Sequence, residues 1–333
     1  MNAPRVRRQF PCYDLPPLIL LPQIKFMRNS LLFTASLAQN FAAFLLCTAA
    51  SISTAQSPAQ LIHQERSLYL NILVTEDEDR RCMRFTISDR GGQNQSCRFL
   101  TDYDKLVFPY AKMVLSSLLV QDNPQRILIV GLGGGTLVHT YSTLFPQAEI
   151  VIAEIDEAVV RVAQEYFDFI ETPTIKVATE DARVYVKRAA VRGEKFDLVI
   201  LDAFNGEYIP EHLMSMEFLA EVKSLLPATG MLVSNTFSTS RLYSAESVSY
   251  NQVFGKFFNV KMNGTGNRII IAPMQALPAA DVLQQRIAAL QPRLDRFGIN
   301  LTEFIKFMHT ESDWDTTERA LTDQYAPANL LNN

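Results

Sequence analysis

The sequence predicts an α/β fold in which a doubly wound, mostly parallel sheet follows a small antiparallel β unit. The main observation is an apolar run at 127–130 that leads into a glycine turn and then a helical pattern. Strand and helix patterns alternate from there to about residue 272, as expected for parallel strands joined by crossover helices. Before this region, residues 66–100 alternate apolar and polar positions between turn signals, which indicates antiparallel strands.

The N-terminal residues 1–55 are predicted to be an extension that carries a signal-like or anchor segment. A start at Met27, followed by the basic Arg28, would precede a mostly apolar stretch at 31–52 and a small-residue cleavage site that ends at Ala55. Residues 1–26 are then either an upstream extension or the result of a wrongly assigned start codon. The alternative is an uncleaved membrane anchor. The protein is therefore expected to be exported to the periplasm or membrane-anchored, or cytoplasmic if the segment is an artefact or an inward-facing anchor.

The cysteines bear on the same question. There are four, and cleavage after Ala55 would leave only Cys82 and Cys97, both in the predicted β unit. In an exported protein these two could form a disulfide. In a cytoplasmic protein they would be two unpaired thiols, and the sequence leaves both outcomes open.

Composition and charge exclude some classes of function. Hydrophobic residues make up 48% of the chain and charged residues 20%, which fits a globular protein with a full core. The net charge is −4, so no nucleic-acid partner is expected. Residues 1–55 carry +4, which leaves −8 on the remainder and suits a cationic ligand such as an amine or a sulfonium. The four histidines show no metal-ligand spacing, and no metal is expected.

The predicted organisation has three parts after residue 55. A small β-hairpin domain is expected at 62–107, a catalytic domain at 108–275 and a helical tail at 276–333. Strands of the catalytic domain are expected at 127–130, 149–153, 174–178, 196–202, 231–237, 260–263 and 268–272. Helices are expected at 103–120, 136–144, 157–167, 182–191, 211–226 and 240–255. The last two strands follow each other directly, which predicts an antiparallel final strand.

The glycine turn and the second strand predict a nucleoside site. Gly131, Gly133 and Gly135 allow the backbone to approach a ligand closely, and the helix that follows offers unpaired N–H groups. Glu154 ends the second strand, where an acid can accept hydrogen bonds from both ribose hydroxyls.

Two further acids follow at the ends of the next strands. Asp181 follows the third strand and Asp202 ends the fourth, so both are expected at the edge where open α/β sheets bind ligands. Asp181 could take the adenine amino group as a donor, with Asp202 at the reacting end. Asp181 also precedes a helix, and a simple N-cap role is the alternative for it.

These residues carry a resemblance to a known family. The segments in question read ILIVGLGGGTL, VIAEIDEAVV, EDARVYV, FDLVILDAF and PEHLMSMEFLAEVKSLL. They resemble spermidine synthases and spermidine-synthase-like proteins, and the leading β unit with DRGGQNQS and FPYAKMV matches the same family. The resemblance covers about residues 67–273. It implies a Rossmann-like fold of the class I AdoMet-dependent methyltransferase type.

The resemblance also implies roles for individual residues. Glu154 would bind ribose, Asp181 adenine, and Asp202 would be the catalytic acid that positions and deprotonates the attacking amine. Gln95 and Tyr110 would border the substrate pocket, and Gln95 is also expected to contact the cosubstrate. From their place on the loop after Asp202, Asn205 and Tyr208 are further candidates for this pocket.

Three positions depart from the family pattern. Gly134 stands where the glycine motif usually has the aspartate that holds the cationic tail of the donor. Asn205 replaces a second acid, and Ala111 replaces a polar pocket residue. The nucleoside residues are therefore retained better than the amine-binding ones.

Three functions stay open at this point. The first is aminopropyl transfer from decarboxylated S-adenosylmethionine to a polyamine acceptor. The second is methyl transfer from S-adenosylmethionine to an unknown small molecule. The third is binding of a nucleoside or polyamine without catalysis. A homodimer and an N-terminal membrane anchor are also left open.

Overall fold

A computed structural model describes residues 58–86, 93–204 and 209–327. The expected signal or anchor segment at 1–55 lies outside these residues and stays a prediction. Within the described ranges no helix combines the length and apolar character needed to cross a bilayer. The three predicted domain boundaries after residue 55 also stay predictions.

The first sheet is the expected antiparallel unit, and it has four strands in sequential order. Its strands are β1 (Gln60–Arg66), β2 (Asn71–Glu76), β3 (Arg80–Thr86) and β4 (Asn94–Phe99). Alternate side chains of β2 are buried, including Ile72 and Val74, because successive residues of a strand point to opposite faces. The sheet therefore packs one apolar face on the rest of the molecule.

Cys82 and Cys97 form a disulfide across this sheet. They lie directly opposite each other on β3 and β4, and their Cα atoms are 4.1 Å apart. The structure thus confirms the pairing, whereas the oxidising location that it implies stays a prediction.

The second sheet has eight strands in the order β12-β10-β11-β9-β8-β5-β6-β7. The parallel strands are β5 (Arg126–Val130), β6 (Glu149–Glu154), β7 (Ile175–Thr179), β8 (Leu198–Leu201) and β9 (Met231–Phe237). The remaining strands are β10 (Phe258–Lys261), β11 (Asn267–Pro273) and β12 (Met308–His309). As expected, β11 runs antiparallel to its neighbours β9 and β10. The sequence did not predict β12, because two residues are too few to show a periodic pattern.

Helices connect the strands on both faces of this sheet. They are α1 (Pro109–Leu115), α2 (Thr136–Leu144), α3 (Glu157–Tyr166), α4 (Ala182–Val191), α5 (Met216–Ser224), α6 (Tyr243–Phe254), α7 (Ala280–Leu294) and α8 (Leu301–Phe304). The predicted bounds of α2 and α4 are confirmed. The predicted helix at 211–226 is instead a short 3-10 turn followed by α5, because Ser215 caps α5 through a bond from the backbone N–H of Phe218.

The core confirms the doubly wound arrangement. Along β5, Ile127 and Ile129 pack on the face that carries α2, α3 and the first sheet. Leu128 and Val130 of the same strand pack on the opposite face, against α4 and α5. Since both faces are covered, the central strands β5, β6 and β8 are apolar between their ends.

Candidate active site

A cavity of about 330 Å³ lies at the carboxyl ends of the parallel strands, with the first sheet forming one wall. Most of the predicted site residues line it, namely Gln95, Tyr110, Gly131, Gly133, Glu154, Asp181 and Asp202. Asn205 and Tyr208 lie outside the described residues. Gly135 does not line the cavity, because it begins α2 in a left-handed conformation and faces Phe169. The structure therefore places Gly135 in the framework of the turn, and its cofactor-binding role stays a prediction.

The glycine turn is held between the ends of two neighbouring strands. The backbone N–H of Gly131 donates to the carbonyl of Ala153 on β6 at 2.9 Å. Gly131 has φ +96°, and a Cβ added there would lie 2.4 Å from the carbonyl oxygen of Asp202. Only glycine combines this backbone conformation with so close an approach.

Glu154 shapes the turn as well as lining the cavity. One carboxylate oxygen accepts a hydrogen bond of 3.0 Å from the backbone N–H of Leu132, and the other accepts one of 2.9 Å from Asp156. Burial raises the pKa of Glu154 above its usual value, and these two bonds oppose that rise. Each oxygen keeps acceptor capacity for a ligand hydroxyl.

Asp181 caps a helix and also lines the cavity, while its contact with adenine stays a prediction. One oxygen caps α4 through a 3.0 Å bond from the backbone N–H of Val184, and the residue also lines the cavity. The second oxygen lies 2.8 Å from Nε2 of His212. His212 follows Pro210 in the segment that leads to α5, and both residues line the same cavity.

Asp202 lies between two donors. The Tyr110 hydroxyl donates to one carboxylate oxygen at 3.2 Å, and the side-chain amide of Asn235 donates to the other at 2.8 Å. Burial raises the pKa of Asp202 to about 7, although both hydrogen bonds act in the opposite direction. A carboxyl group with a pKa near 7 is suited to accept a proton at neutral pH.

Asn235 was not among the site residues predicted from the sequence. It lies near the carboxyl end of β9, which neighbours β8 in the sheet. The polar residues 234–236 in the second half of MLVSNTF were the available signal, because the carboxyl ends of all the parallel strands meet at one edge.

Gly134 packs closely against Phe167 and Ser96. It does not line the cavity, and a Cβ added there would lie 2.8 Å from both the Phe167 ring and the Ser96 hydroxyl. An aspartate at this position would require the Phe167 ring or the Ser96 side chain to shift. The missing tail-binding acid at Gly134 stays a prediction.

Candidate metal ligands do not cluster anywhere in residues 58–86, 93–204 and 209–327. The four acids that line the cavity are Glu154, Asp156, Asp181 and Asp202. The ligand-binding character of the site therefore comes from carboxylates and backbone groups around an apolar space.

Comparison with known proteins supports the family resemblance seen in the sequence. The family model of the spermine/spermidine synthase domain matches residues 107–264. A polyamine aminopropyltransferase from Vibrio vulnificus is 47% identical to this chain over 290 residues, which are 86% of this chain and 96% of that protein. This chain belongs to the spermidine synthase family. It is therefore a member of a family of transferase enzymes.

Solved structures show the same fold. A probable spermidine synthase from Corynebacterium glutamicum aligns with a TM-score of 0.59 at 19% identity, over 78% of this chain and 99% of that one. A spermidine synthase in complex with the transition-state analogue AdoDATO aligns with a TM-score of 0.55 at 16% identity, over 76% and 85% of the two chains. At these identities the likeness establishes the fold, which confirms the spermidine-synthase-type architecture predicted from the sequence.

Proposed function

We propose that this protein transfers an aminopropyl group from decarboxylated S-adenosylmethionine to a polyamine or a related small-molecule amine. The observation that carries the proposal is the position of Asp202, which shares one cavity with Glu154 and Asp181. Family membership supplies the reaction class. The three acids then provide one carboxylate for the ribose, one for the adenine and one for the attacking amine.

The nucleoside of the donor occupies the end of the cavity formed by β6 and α4. Glu154 accepts hydrogen bonds from the ribose hydroxyls while it holds the glycine turn. Asp181 accepts from the adenine amino group. The side chains of Ile155 and Leu213 also line this cavity and give apolar contact to a flat base.

The acceptor amine binds near Asp202, bordered by Tyr110 and Gln95. Asn205 and Tyr208 are proposed as further pocket residues from their place in the sequence just after Asp202. The donor carries a sulfonium and an ammonium, and the four carboxyl groups around the cavity favour such a dication.

The chemical step is a displacement at carbon. The amine nitrogen attacks the carbon beside the sulfonium, the C–S bond breaks, and its electron pair stays on sulfur, which leaves as methylthioadenosine. One proton leaves the nitrogen so that the electron pair used for attack is available. Asp202 accepts this proton and passes it to solvent, and it also orients the amine.

Burial of Asp202 makes this proton transfer less unfavourable. An alkylamine has a pKa of roughly 10.4. The gap to an ordinary aspartate, with its usual pKa of 3.8, is therefore about 6.6 units. The gap to Asp202, with its pKa of about 7, is only about 3.4 units.

Product analysis by mass spectrometry tests the proposal. The full chain is incubated with either decarboxylated S-adenosylmethionine or S-adenosylmethionine and a panel of diamines and polyamines. We expect an acceptor extended by one aminopropyl group and an equal amount of methylthioadenosine, with the decarboxylated donor only. A methylated acceptor would instead establish a methyltransferase. Binding of methylthioadenosine without turnover would establish a non-catalytic binding protein.

A further inference from the structure

A chain of three side-chain hydrogen bonds ends on Asp202. Thr265 Oγ1 donates to Asn267 Oδ1 at 2.9 Å, and Asn267 Nδ2 donates to Asn235 Oδ1 at 3.0 Å. Asn235 Nδ2 then donates to Asp202 Oδ1 at 2.8 Å. The chain crosses β11, β9 and β8, which are successive neighbours in the sheet. We propose that Thr265 and Asn267, in the hairpin between β10 and β11, are positioning residues that orient Asp202 through Asn235.

The direction of these hydrogen bonds is fixed at both ends. An ionised carboxylate can only accept, so Asn235 must present its NH2 group to Asp202 and its oxygen to Asn267. At the other end, Thr265 Oγ1 accepts a 3.2 Å bond from the backbone N–H of Asn267, which leaves its hydroxyl hydrogen to be donated. Each amide therefore has a single orientation that satisfies every partner.

The orientation of Asn235 matters because the amide is nearly symmetrical in shape. If it turned over, its carbonyl oxygen would face the Asp202 carboxylate and repel it. Asn267 prevents this by donating to the carbonyl oxygen of Asn235. Hydrogen bonds in such a chain also polarise one another, which strengthens the final bond.

The other groups around Asp202 do not provide an alternative to this series of hydrogen bonds. The opposite carboxylate oxygen is held by Tyr110 from α1. The remaining titratable side chains that line the described cavity are Tyr69, Glu154, Asp156, Asp181 and His212. The last four have hydrogen-bond partners of their own, and none of the five is bonded to Asp202. Asn235 and Tyr110 are thus its two side-chain donors within the described residues.

The proposal rests on the proposed function, in which Asp202 acts on the amine. Its test uses Asn267→Asp, which keeps the size of the side chain but can only accept hydrogen bonds when ionised. Asn235 would then turn its NH2 group towards residue 267 and its oxygen towards Asp202. Asn263→Asp is the matched control, because Asn263 is exposed in the same hairpin and the change in charge is the same. Thr265→Val and Thr265→Ser form a second pair without any change in charge.

Two readouts are measured on the full chain. The first is the titration of the Asp202 carboxyl by carbon NMR of aspartate-labelled protein, with the resonance assigned by its loss in Asp202→Asn. The second is the pair of steady-state constants, kcat and KM, for aminopropyl transfer as a function of pH.

We expect Asn267→Asp to move the Asp202 titration upward by about one pH unit or more and to lower kcat at pH 7 about tenfold. KM for the donor should stay within about twofold, because the nucleoside contacts are unchanged. Thr265→Val should shift both readouts in the same direction by less, and Thr265→Ser should restore them. Asn263→Asp should behave as the unmodified protein.

The proposal is overturned if Asn267→Asp and Asn263→Asp give the same titration. If Asn267→Asp does not fold, equal titrations of Thr265→Val and Thr265→Ser would overturn it. The carboxyl titration needs no substrate, so the two proposals fail separately. A shifted titration in a protein that makes no aminopropyl product would leave the positioning role intact and remove the proposed function.

Discussion

Gly131 packs directly against the backbone of Asp202, so that a Cβ at position 131 would lie 2.4 Å from the Asp202 carbonyl oxygen. The two residues end the adjacent parallel strands β5 and β8. This contact joins the turn that floors the nucleoside end of the cavity to the acid at its reacting end. The two halves of the proposed site therefore lie side by side at one edge of the sheet.

The first prediction concerns this contact. Gly131→Ala should destabilise the fold and abolish methylthioadenosine binding, because it adds both backbone strain and a clash. Gly193→Ala is the control, since Gly193 has φ +69° but open space around its Cβ position. It should cost only the left-handed backbone strain, about 1–2 kcal/mol of unfolding free energy. Thermal unfolding and calorimetry measure the two effects, and equal losses in both variants would contradict the role of the contact.

The second prediction concerns the pH dependence of activity. Asp202 must be ionised to hold and deprotonate the amine, and its pKa in the protein is about 7. The value of kcat/KM should therefore rise with pH up to about 7. The acid limb of kcat should lie at lower pH, because the positive charges of the bound donor stabilise the ionised carboxylate. A pH-independent kcat/KM between pH 5 and 8 would contradict this role.

The third prediction concerns the pH dependence of folding stability that Asp202 causes. The pKa of Asp202 in the folded protein, about 7, lies above its usual value of 3.8, so the folded state binds more protons between these pH values. Stability contributed by this group is therefore lost as the pH rises from about 4 to about 7. Asp202→Asn should raise Tm more at pH 8 than at pH 5, whereas Asp281→Asn on the exposed side of α7 should leave Tm unchanged at both. A lower Tm for Asp202→Asn at pH 8 would rule out this effect.

The fourth prediction concerns the ribose acid. Glu154→Gln should weaken methylthioadenosine binding about tenfold or more, since a hydrogen bond to a charged group contributes roughly 1.5–3 kcal/mol. The amide also brings an NH2 group against one of the two backbone N–H donors of Leu132 and Asp156. Glu157→Gln, at the exposed start of α3, is the matched control and should bind normally. Calorimetry measures methylthioadenosine binding by both variants, and equal affinities would contradict the role of Glu154.

The fifth prediction concerns the disulfide and the location of the protein. The Cys82–Cys97 bond closes a 15-residue separation. It should stabilise the first sheet by about 3 kcal/mol, so reductant should lower Tm in the unmodified chain and leave the Cys82→Ser/Cys97→Ser variant unchanged. We propose that the bond forms in an oxidising compartment after export.

Intact-mass analysis of protein from its native host tests the proposed export. A chain that starts at Gln56 with both thiols blocked is the expected result. A chain that retains Met27 and two free thiols would contradict export and place the enzyme with its cytoplasmic donor.

Much of the fold could be predicted because strand ends and glycine turns have strong local signatures. The run at 127–130, the turn from Gly131 and the acids Glu154, Asp181 and Asp202 all follow from patterns within a few residues of each other. The carboxyl-end rule then brings the three acids together without knowledge of the full topology.

Other features depend on contacts between residues far apart in sequence. Asn267 lies 32 residues from Asn235, and the two meet only because β11 inserts beside β9. Arg268 is fully buried and lies 3.1 Å from Glu246 on α6, although a charged residue beside an apolar run gives no sign of burial. The close packing of Gly134 against Phe167 and Ser96 likewise joins residues that are far apart in sequence.

The measurement that tests the account most directly follows an isotopic label in the aminopropyl group of decarboxylated S-adenosylmethionine. With the unmodified chain, the label should move to the acceptor amine as methylthioadenosine is released in equal amount. Asp202→Asn should lose at least about a hundredfold in kcat, within the range expected when a positioned proton acceptor is removed, while Asp281→Asn keeps full activity. Transfer at an unchanged rate in Asp202→Asn, or no transfer of the label by the unmodified chain, would contradict the account.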